Sequence, residues 1–281
     1  MTRILEPIET WLCFYGGDAP SEAYGRFDVV VFDSTYHPPL VRRADRGPVL
    51  LGYLSAGEIL EQGPFWSRVK GREILIQHKP FWNSWVLDMR DPAWQELLIH
   101  EAVPRILAQG FDGVLVDTLD SALGLELWTD PARFQGTFSA VIEWMETLRR
   151  TFPDAVLAVN RGLPVLPDIA AFLDAVVVEG LYSTYQDVEA GYAPVAPDVR
   201  ELLLQQLEAG RAGHPQLPVL TLDYASEDQP DLAQDAIAYA RRKGFIPYVS
   251  TIPLDRIHHR TLDPRGASGG APARAGECAG R

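Results

Sequence analysis

The stretch GFDGVLVDTLD (110–120) decides the fold. A turn glycine precedes the apolar run GVLVD, which ends in Asp117, and a second acid, Asp120, follows three residues later. A continuous apolar run, in place of strict alternation, marks a strand covered on both faces. The flanking sequence offers the covers. Upstream, Asp91 and Pro92 open a helix whose stripe of Trp94, Leu97, Leu98, Ala102, Val103, Ile106 and Leu107 stops near Gly110, with Pro104 inside it as a predicted kink. Downstream, a second helix is predicted from Asp130 and Pro131, with Phe134, Phe138, Val141, Ile142, Met145, Leu148 and Phe152 on its apolar face before Pro153 ends it.

The same unit of apolar run, polar end and helix recurs along the chain. The other runs are WLCFY (11–15), DVVVFD (28–33), VLLGYLS (49–55), AVLAVN (155–160), AVVVE (175–179), PVLTLD (218–223) and FIPYVS (245–250), and further helices are predicted over 198–210 and 229–244. Eight strands alternating with helices, in a chain of this length, predict an α/β fold, a (β/α)₈ TIM barrel. A doubly wound open sheet is the alternative, and its dinucleotide-binding form lacks the G-x-G-x-x-G turn after the first strand.

Two segments depart from the rhythm. An aromatic-rich insertion after the third strand, 58–90, carries Phe65, Trp66, Phe81, Trp82 and Trp85, either as a wall of the cleft or as a satellite core under a long loop. The end of the chain, 264–281, is rich in Gly, Ala, Arg and Pro without periodicity and is predicted to be a disordered tail. The expected division is therefore one barrel domain, 1–263, followed by that tail.

With 25 Lys+Arg against 38 Asp+Glu the formal charge is −13. The tail holds Arg265, Arg274, Arg281 and Glu277, a net +2, so the rest carries −13 − 2 = −15. No basic stretch offsets this, which argues against nucleic acid and anionic lipid as partners and for a neutral or cationic ligand. No apolar run approaches the ~18–20 residues of a membrane span. The opening MTRILEP (1–7) has a charge but no apolar stretch behind it, so no signal peptide is read and localisation stays open. Oligomeric state is likewise open. Cys13 and Cys278 form no disulfide framework or thiolate cage, and the six histidines lack ligand spacing, so no metal and no cofactor is expected.

In a barrel, strand ends converge on one cleft. Here those ends read Tyr15, Asp33, Glu58 just beyond the third strand, Asp117 with Asp120, Asn160 with Arg161, Glu179, Asp223 with Tyr224, Tyr248 and Ser250. Several carboxylates around one pocket suit either acid/base work on a polyol or an oxygen-ligated Mg²⁺ or Ca²⁺. Carbohydrate chemistry is the better match, because the same sequence supplies Trp and Tyr rings on which sugars could lie.

The runs WLCFYGG, FDVVVFDS, GYLSAGE, GFDGVLVDTLD, AVNRG, VVVEGLYS, VLTLDYAS and GFIPYVS, in this order over 11–254, resemble glycoside hydrolase family 114, the endo-α-1,4-polygalactosaminidase group. The resemblance implies a (β/α)₈ fold and a catalytic pair at the ends of the fourth and sixth strands, which map onto Asp117 as nucleophile and Glu179 as proton donor. It also implies an endo-acting hydrolase of an α-linked polysaccharide, such as an amino-sugar polymer whose ammonium groups suit an acidic cleft.

Tyr15, Asp33, Glu58, Asp120, Asn160, Arg161, Asp223, Tyr224 and Tyr248 are the substrate-binding candidates. Several of the site residues also have a structural reading. Asp117 could cap the following helix, Glu58 could bond nearby backbone, Asp33 and Asp223 could anchor loops, and Arg161 could pair with a carboxylate or sit at the surface. Two functional alternatives stand beside the hydrolase: a carbohydrate-binding barrel without turnover, and a metal-assisted lyase or isomerase in which Asp33, Asp117 and Glu179 hold Mg²⁺.

Overall fold

The computed structural model describes residues 8–41 and 47–262. Eight parallel strands follow one another in sequence order around a (β/α)₈ barrel: β1 (Trp11–Phe14), β2 (Val29–Phe32), β3 (Val49–Ser55), β4 (Gly113–Asp117), β5 (Val156–Asn160), β6 (Ala175–Glu179), β7 (Val219–Tyr224) and β8 (Ile246–Ser250). All eight predicted runs form these strands, and most of their apolar residues are buried in the barrel interior or against the outer helices. The ladder runs from β1 to β8. Between β8 and β1 the ring is joined instead by the Trp11 indole Nε1–H, which donates to the Ile246 carbonyl at 3.0 Å. No helix among the described residues is long and apolar enough to cross a membrane.

One device recurs at the amino-terminal end of the barrel. Asp28, Asp112 and Asp174 each stand just before an even-numbered strand, and each clasps the preceding odd strand twice. The Asp backbone N–H donates to the carbonyl of Thr10, Leu50 or Leu157, at 3.2, 2.7 and 2.8 Å. In return the N–H of the same residue donates to the Asp carboxylate, at 2.8, 3.0 and 2.8 Å. These acids follow Phe27, Phe111 and Leu173, which explains the repeated pattern of a large apolar residue, Asp and a β-branched run. Part of the negative charge is thus structural and lies at the end away from the cleft.

Asp174 also pairs with Arg149, which donates to the carbonyls of Ala155 and Phe172, both at 2.8 Å. Asp174→Ala strands the Leu157 N–H and the Arg149 guanidinium together. Equilibrium denaturation is expected to show a loss of about 3 kcal/mol, with turnover unchanged once the protein is folded.

The helix over 92–108 begins as expected, with Asp91 accepting from the Trp94 N–H and Pro92 at its first position. Pro104 is accommodated by a π-helical turn, Leu98–Ala102, which widens the helix immediately before it. The next helix differs from expectation. It starts at Thr137, not Asp130, because Asp130 and Pro131 open a separate turn in which the Asp130 carboxylate accepts from the Arg133 N–H. Phe134 packs with Val86 and Leu125 in a small cluster of its own instead of lying on that helix. The helices Pro197–Gly210 and Pro230–Arg242 match their predicted spans closely.

The insertion folds as a three-stranded antiparallel sheet, Glu58–Leu60, Ser84–Leu87 and Leu75–Lys79 in that spatial order, with a short helix, Trp66–Val69. Its rings divide between the two expected roles. Phe65, Trp66 and Trp85 pack against the core, whereas Trp82 is half exposed and lines the cleft. The predicted tail, 264–281, lies outside the described residues.

Candidate active site

A cavity of about 560 Å³ occupies the carboxyl end of the barrel. Side-chain period two along the strands selects which residues reach it. Cys13 and Tyr15 follow Trp11, Ser55 follows Tyr53, Asp117 follows Leu115, Glu179 follows Val177, and Tyr224 follows Leu222. Beneath this layer Trp11 and Tyr248 meet edge to face, 6.0 Å between ring centroids, and fill the barrel interior.

At the centre Asn160 holds the two strand-end carboxylates together. Its amide Nδ2 donates to Asp117 Oδ1 at 2.9 Å and to Glu179 Oε2 at 2.7 Å. Those oxygens are therefore at most about 5.6 Å apart (2.9 plus 2.7). Each carboxylate receives one further bond from a phenol: Tyr53 donates to Asp117 Oδ2 at 2.8 Å and Tyr224 to Glu179 Oε1 at 2.7 Å. Burial and the neighbouring carboxylates push both phenols well above their ordinary range, which keeps them protonated as donors. Burial and the adjacent Glu179 charge push Asp117 up to about 6, against the bonds from Tyr53 and Asn160 that stabilise its ionised form.

The backbone turns sharply just beyond these side chains. Thr118, Arg161 and Gly180, the residues after Asp117, Asn160 and Glu179, all have positive φ, at 66°, 55° and 61°. For a β-branched threonine this is a strained conformation. It is held by the Thr118 hydroxyl, which accepts the N–H groups of Gly57 and Glu58 at 2.9 and 3.1 Å. Arg161 donates through Nε and Nη2 to the Glu179 carbonyl, at 3.0 and 2.6 Å, so it holds the main chain of the β6 end, and among the described residues it bonds no carboxylate side chain. Asp120 accepts the Gly162 N–H at 3.0 Å, and burial raises its carboxyl.

Glu58 is buried and fully engaged. Lys79 Nζ lies 2.8 Å from its Oε1, the Ser121 hydroxyl donates to the same oxygen, and Ser84 donates to Oε2. Burial opposes ionisation of Glu58, yet these three donors outweigh it and hold the carboxyl below its usual range. Asp33 lies on the cavity rim, where its Oδ1 accepts the N–H groups of Thr35 and Tyr36 and the Thr35 hydroxyl.

Two candidates do not reach the cavity. Asp223 is one residue out of phase with Leu222 and Tyr224, is 1% exposed, and accepts the N–H groups of Tyr182 and Ser183 at 2.6 and 3.0 Å. It anchors the segment after β6, and burial pushes its carboxyl up to about 6. Tyr248 has the right phase but sits one layer deeper, fully buried, with its hydroxyl accepting the His258 N–H. Conversely, Tyr53, Lys79, Ser84 and Ser121 line the cavity and were not among the candidates. Period two from Ser55 back along β3 pointed to Tyr53. No comparable signal marked Lys79, which comes from the inserted sheet. Asp33, Asp117 and Glu179 do not converge on one point, and among the described residues no group of three or more His, Cys, Asp or Glu side chains is placed to hold a metal ion.

Comparison with known proteins agrees with this geometry. The chain is 31% identical over 228 residues to an uncharacterized protein of Deinococcus radiodurans, covering 77% of this chain and 68% of that protein. Among solved structures it is similar to the glycoside hydrolase domain of PelA from Pseudomonas aeruginosa, with TM-score 0.74, 29% identity, and coverage of 89% of this chain and 97% of that one. It shares its fold with Aspergillus fumigatus Ega3, determined in complex with galactosamine, with TM-score 0.65, 15% identity, and coverage of 91% and 96%. A family model matches residues 2–263, nearly the whole chain, and the protein with its paired carboxylates at the ends of β4 and β6 belongs to glycoside-hydrolase family GH114.

Proposed function

We propose that this glycoside hydrolase cleaves within an α-linked amino-sugar polysaccharide, such as α-1,4-polygalactosamine, with retention of anomeric configuration. The observation that carries the mechanism is the single Asn160 amide shared by Asp117 and Glu179. The upper bound it sets on the two oxygens it bonds, about 5.6 Å, supports the roughly 5–5.5 Å spacing of retaining enzymes over the wider spacing that admits a water in inverting ones. In the first step an Asp117 oxygen attacks the anomeric carbon and forms a glycosyl ester, while the glycosidic C–O bond breaks and its oxygen takes the proton from Glu179. In the second, Glu179 removes a proton from water, the water oxygen attacks the same carbon, and Asp117 leaves as carboxylate. An acidic cleft and the galactosamine bound by Ega3 support an amino-sugar substrate.

The pair works with one proton. The two carboxyls are bridged by one amide and titrate together, so the raised value belongs to the pair. A carboxyl raised to about 6 keeps its proton below that pH and loses it above. The singly protonated pair is thus lost as pH rises, and kcat/KM on an unactivated oligosaccharide is expected to fall on the alkaline side with an apparent pKa near 6. The deciding experiment is digestion of defined de-N-acetylated galactosamine and glucosamine oligomers, with products sized by mass spectrometry and the first-formed anomer followed by NMR. Internal cuts with a retained anomer are expected. An inverted first product sinks the mechanism, and inactivity on every oligomer sinks the substrate class.

A further inference from the structure

The cavity is acidic, yet a lysine is seated in its wall. Lys79 ends a strand of the insertion, and its Nζ lies 2.8 Å from both Glu58 Oε1 and Ser121 Oγ. Glu58 is 7% exposed and both its oxygens are taken, Oε1 by Lys79 and Ser121 and Oε2 by Ser84. Its three donors occupy most of its acceptor capacity, and it acts by fixing the ammonium. An ammonium carries three N–H donors, and Glu58 and Ser121 use two. The Lys79 side chain is 36% exposed and lines the cavity, which leaves the third proton available to a ligand there. Trp82, in the turn that follows the strand, lines the same cavity and is 50% exposed. A fixed donor cation and a half-exposed indole thus line the same cavity.

We propose that Lys79, held by Glu58 and Ser121, forms with Trp82 a subsite that selects an uncharged sugar unit presenting an acceptor oxygen, an N-acetyl carbonyl or a hydroxyl, and that rejects a free amine at that position. This rests on the amino-sugar reading and narrows it: a polymer cut here is cationic along most of its length but carries a neutral unit at one fixed place relative to the scissile bond. The sugar lies on the indole, its acceptor oxygen takes the third Lys79 proton, and an ammonium in the same place would meet like charge at short range in a partly desolvated site. Removal of the lysine inverts the preference, because Glu58 then faces the subsite as a buried carboxylate lacking its counter-ion.

The test uses α-1,4-linked galactosamine pentamers, fully de-N-acetylated or carrying one N-acetyl group at each position in turn. Binding is measured calorimetrically in an Asp117→Asn background, and cut positions are mapped with the active enzyme. One N-acetyl position is expected to bind best and to fix the cut. Lys79→Met is expected to lose that preference and to bind the fully cationic pentamer about tenfold tighter. Glu58→Gln is expected to do the opposite, weakening the cationic pentamer while sparing the acetylated one. A merely structural ion pair would weaken both ligands together in both variants, and that result, or a ratio unchanged by Lys79→Met, overturns the proposal. Failure of any pentamer to bind the otherwise unaltered site overturns the amino-sugar reading as well, whereas tight binding without selection by acetylation overturns only the subsite.

Discussion

Asp117→Asn is expected to lower turnover by about 10⁴-fold or more on every substrate, however good its leaving group, because the amide cannot form the glycosyl ester. The same substitution is expected to make the protein more stable at neutral pH. In the fold the Asp117 carboxyl is raised to about 6, while in the unfolded chain it titrates at its ordinary value near 4. Its contribution to stability is therefore full at low pH, where it is protonated in both states, and is lost as pH rises through about 6. Asparagine stays neutral throughout and avoids that loss. With partial screening by cleft water and a weakened bond to Asn160, the gain at pH 7.5 is about 1 kcal/mol, or a rise of roughly 2–4 °C in Tm, and it should vanish near pH 4. Scanning calorimetry at the two pH values checks this. A variant destabilised equally at both would mean that Asp117 carries no ionisation cost in the folded state.

Glu179→Gln is expected to separate the two chemical steps. Without the proton donor, cleavage of an unactivated glycosidic bond should slow by about 10³–10⁴-fold. A substrate with a dinitrophenolate or fluoride leaving group needs no proton, so its first step should remain fast. The second step still lacks its base, and the glycosyl ester on Asp117 should accumulate. Rapid-mixing kinetics would show a burst of released phenol followed by slow turnover, and intact-protein mass spectrometry would show the chain with one sugar attached. If Glu179→Gln slowed activated and unactivated substrates alike, with no burst, the roles given to the two acids would be wrong.

The sequence disclosed the strands and the carboxylate pair for the same reason. A strand buried on both faces must be written in Val, Leu and Ile, so a polar residue at its end stands out, as Asp117 and Glu179 do. What lay beyond that signal was phase and depth. Asp223 looked like a strand end, but β7 continues to Tyr224, and one residue turns a side chain from the cavity to the outside. Tyr248 had the correct phase and the wrong layer. Tyr53 was hidden inside an apolar run, where its hydroxyl gives no sign of reaching 2.8 Å from a carboxylate. Lys79 arrives from an insertion whose path no periodicity specifies, although the insertion's rings marked it as a possible cleft wall. The start of the helix at Thr137 was obscured because Asp130 and Pro131 serve a tight turn as well as they would a helix.

The three aspartate clasps at the base of the barrel bear on how the chain finds its shape. Asp28 joins residues 18 apart and Asp174 residues 17 apart, but Asp112 reaches across 62 because the insertion lies within its loop. Closing a loop becomes harder as it lengthens, and contacts between distant residues form late. β1 with β2, and β5 with β6, are thus suited to pair early as two local parallel nuclei, each locked by two reciprocal bonds. The pairing of β3 with β4 would follow, and would bring Tyr53 to Asp117 only then. Acquisition of the catalytic pocket would accordingly be among the last events of folding, so refolding followed by amide exchange should show protection at Thr10 and Leu157 before Leu50, with enzymatic activity returning in step with Leu50.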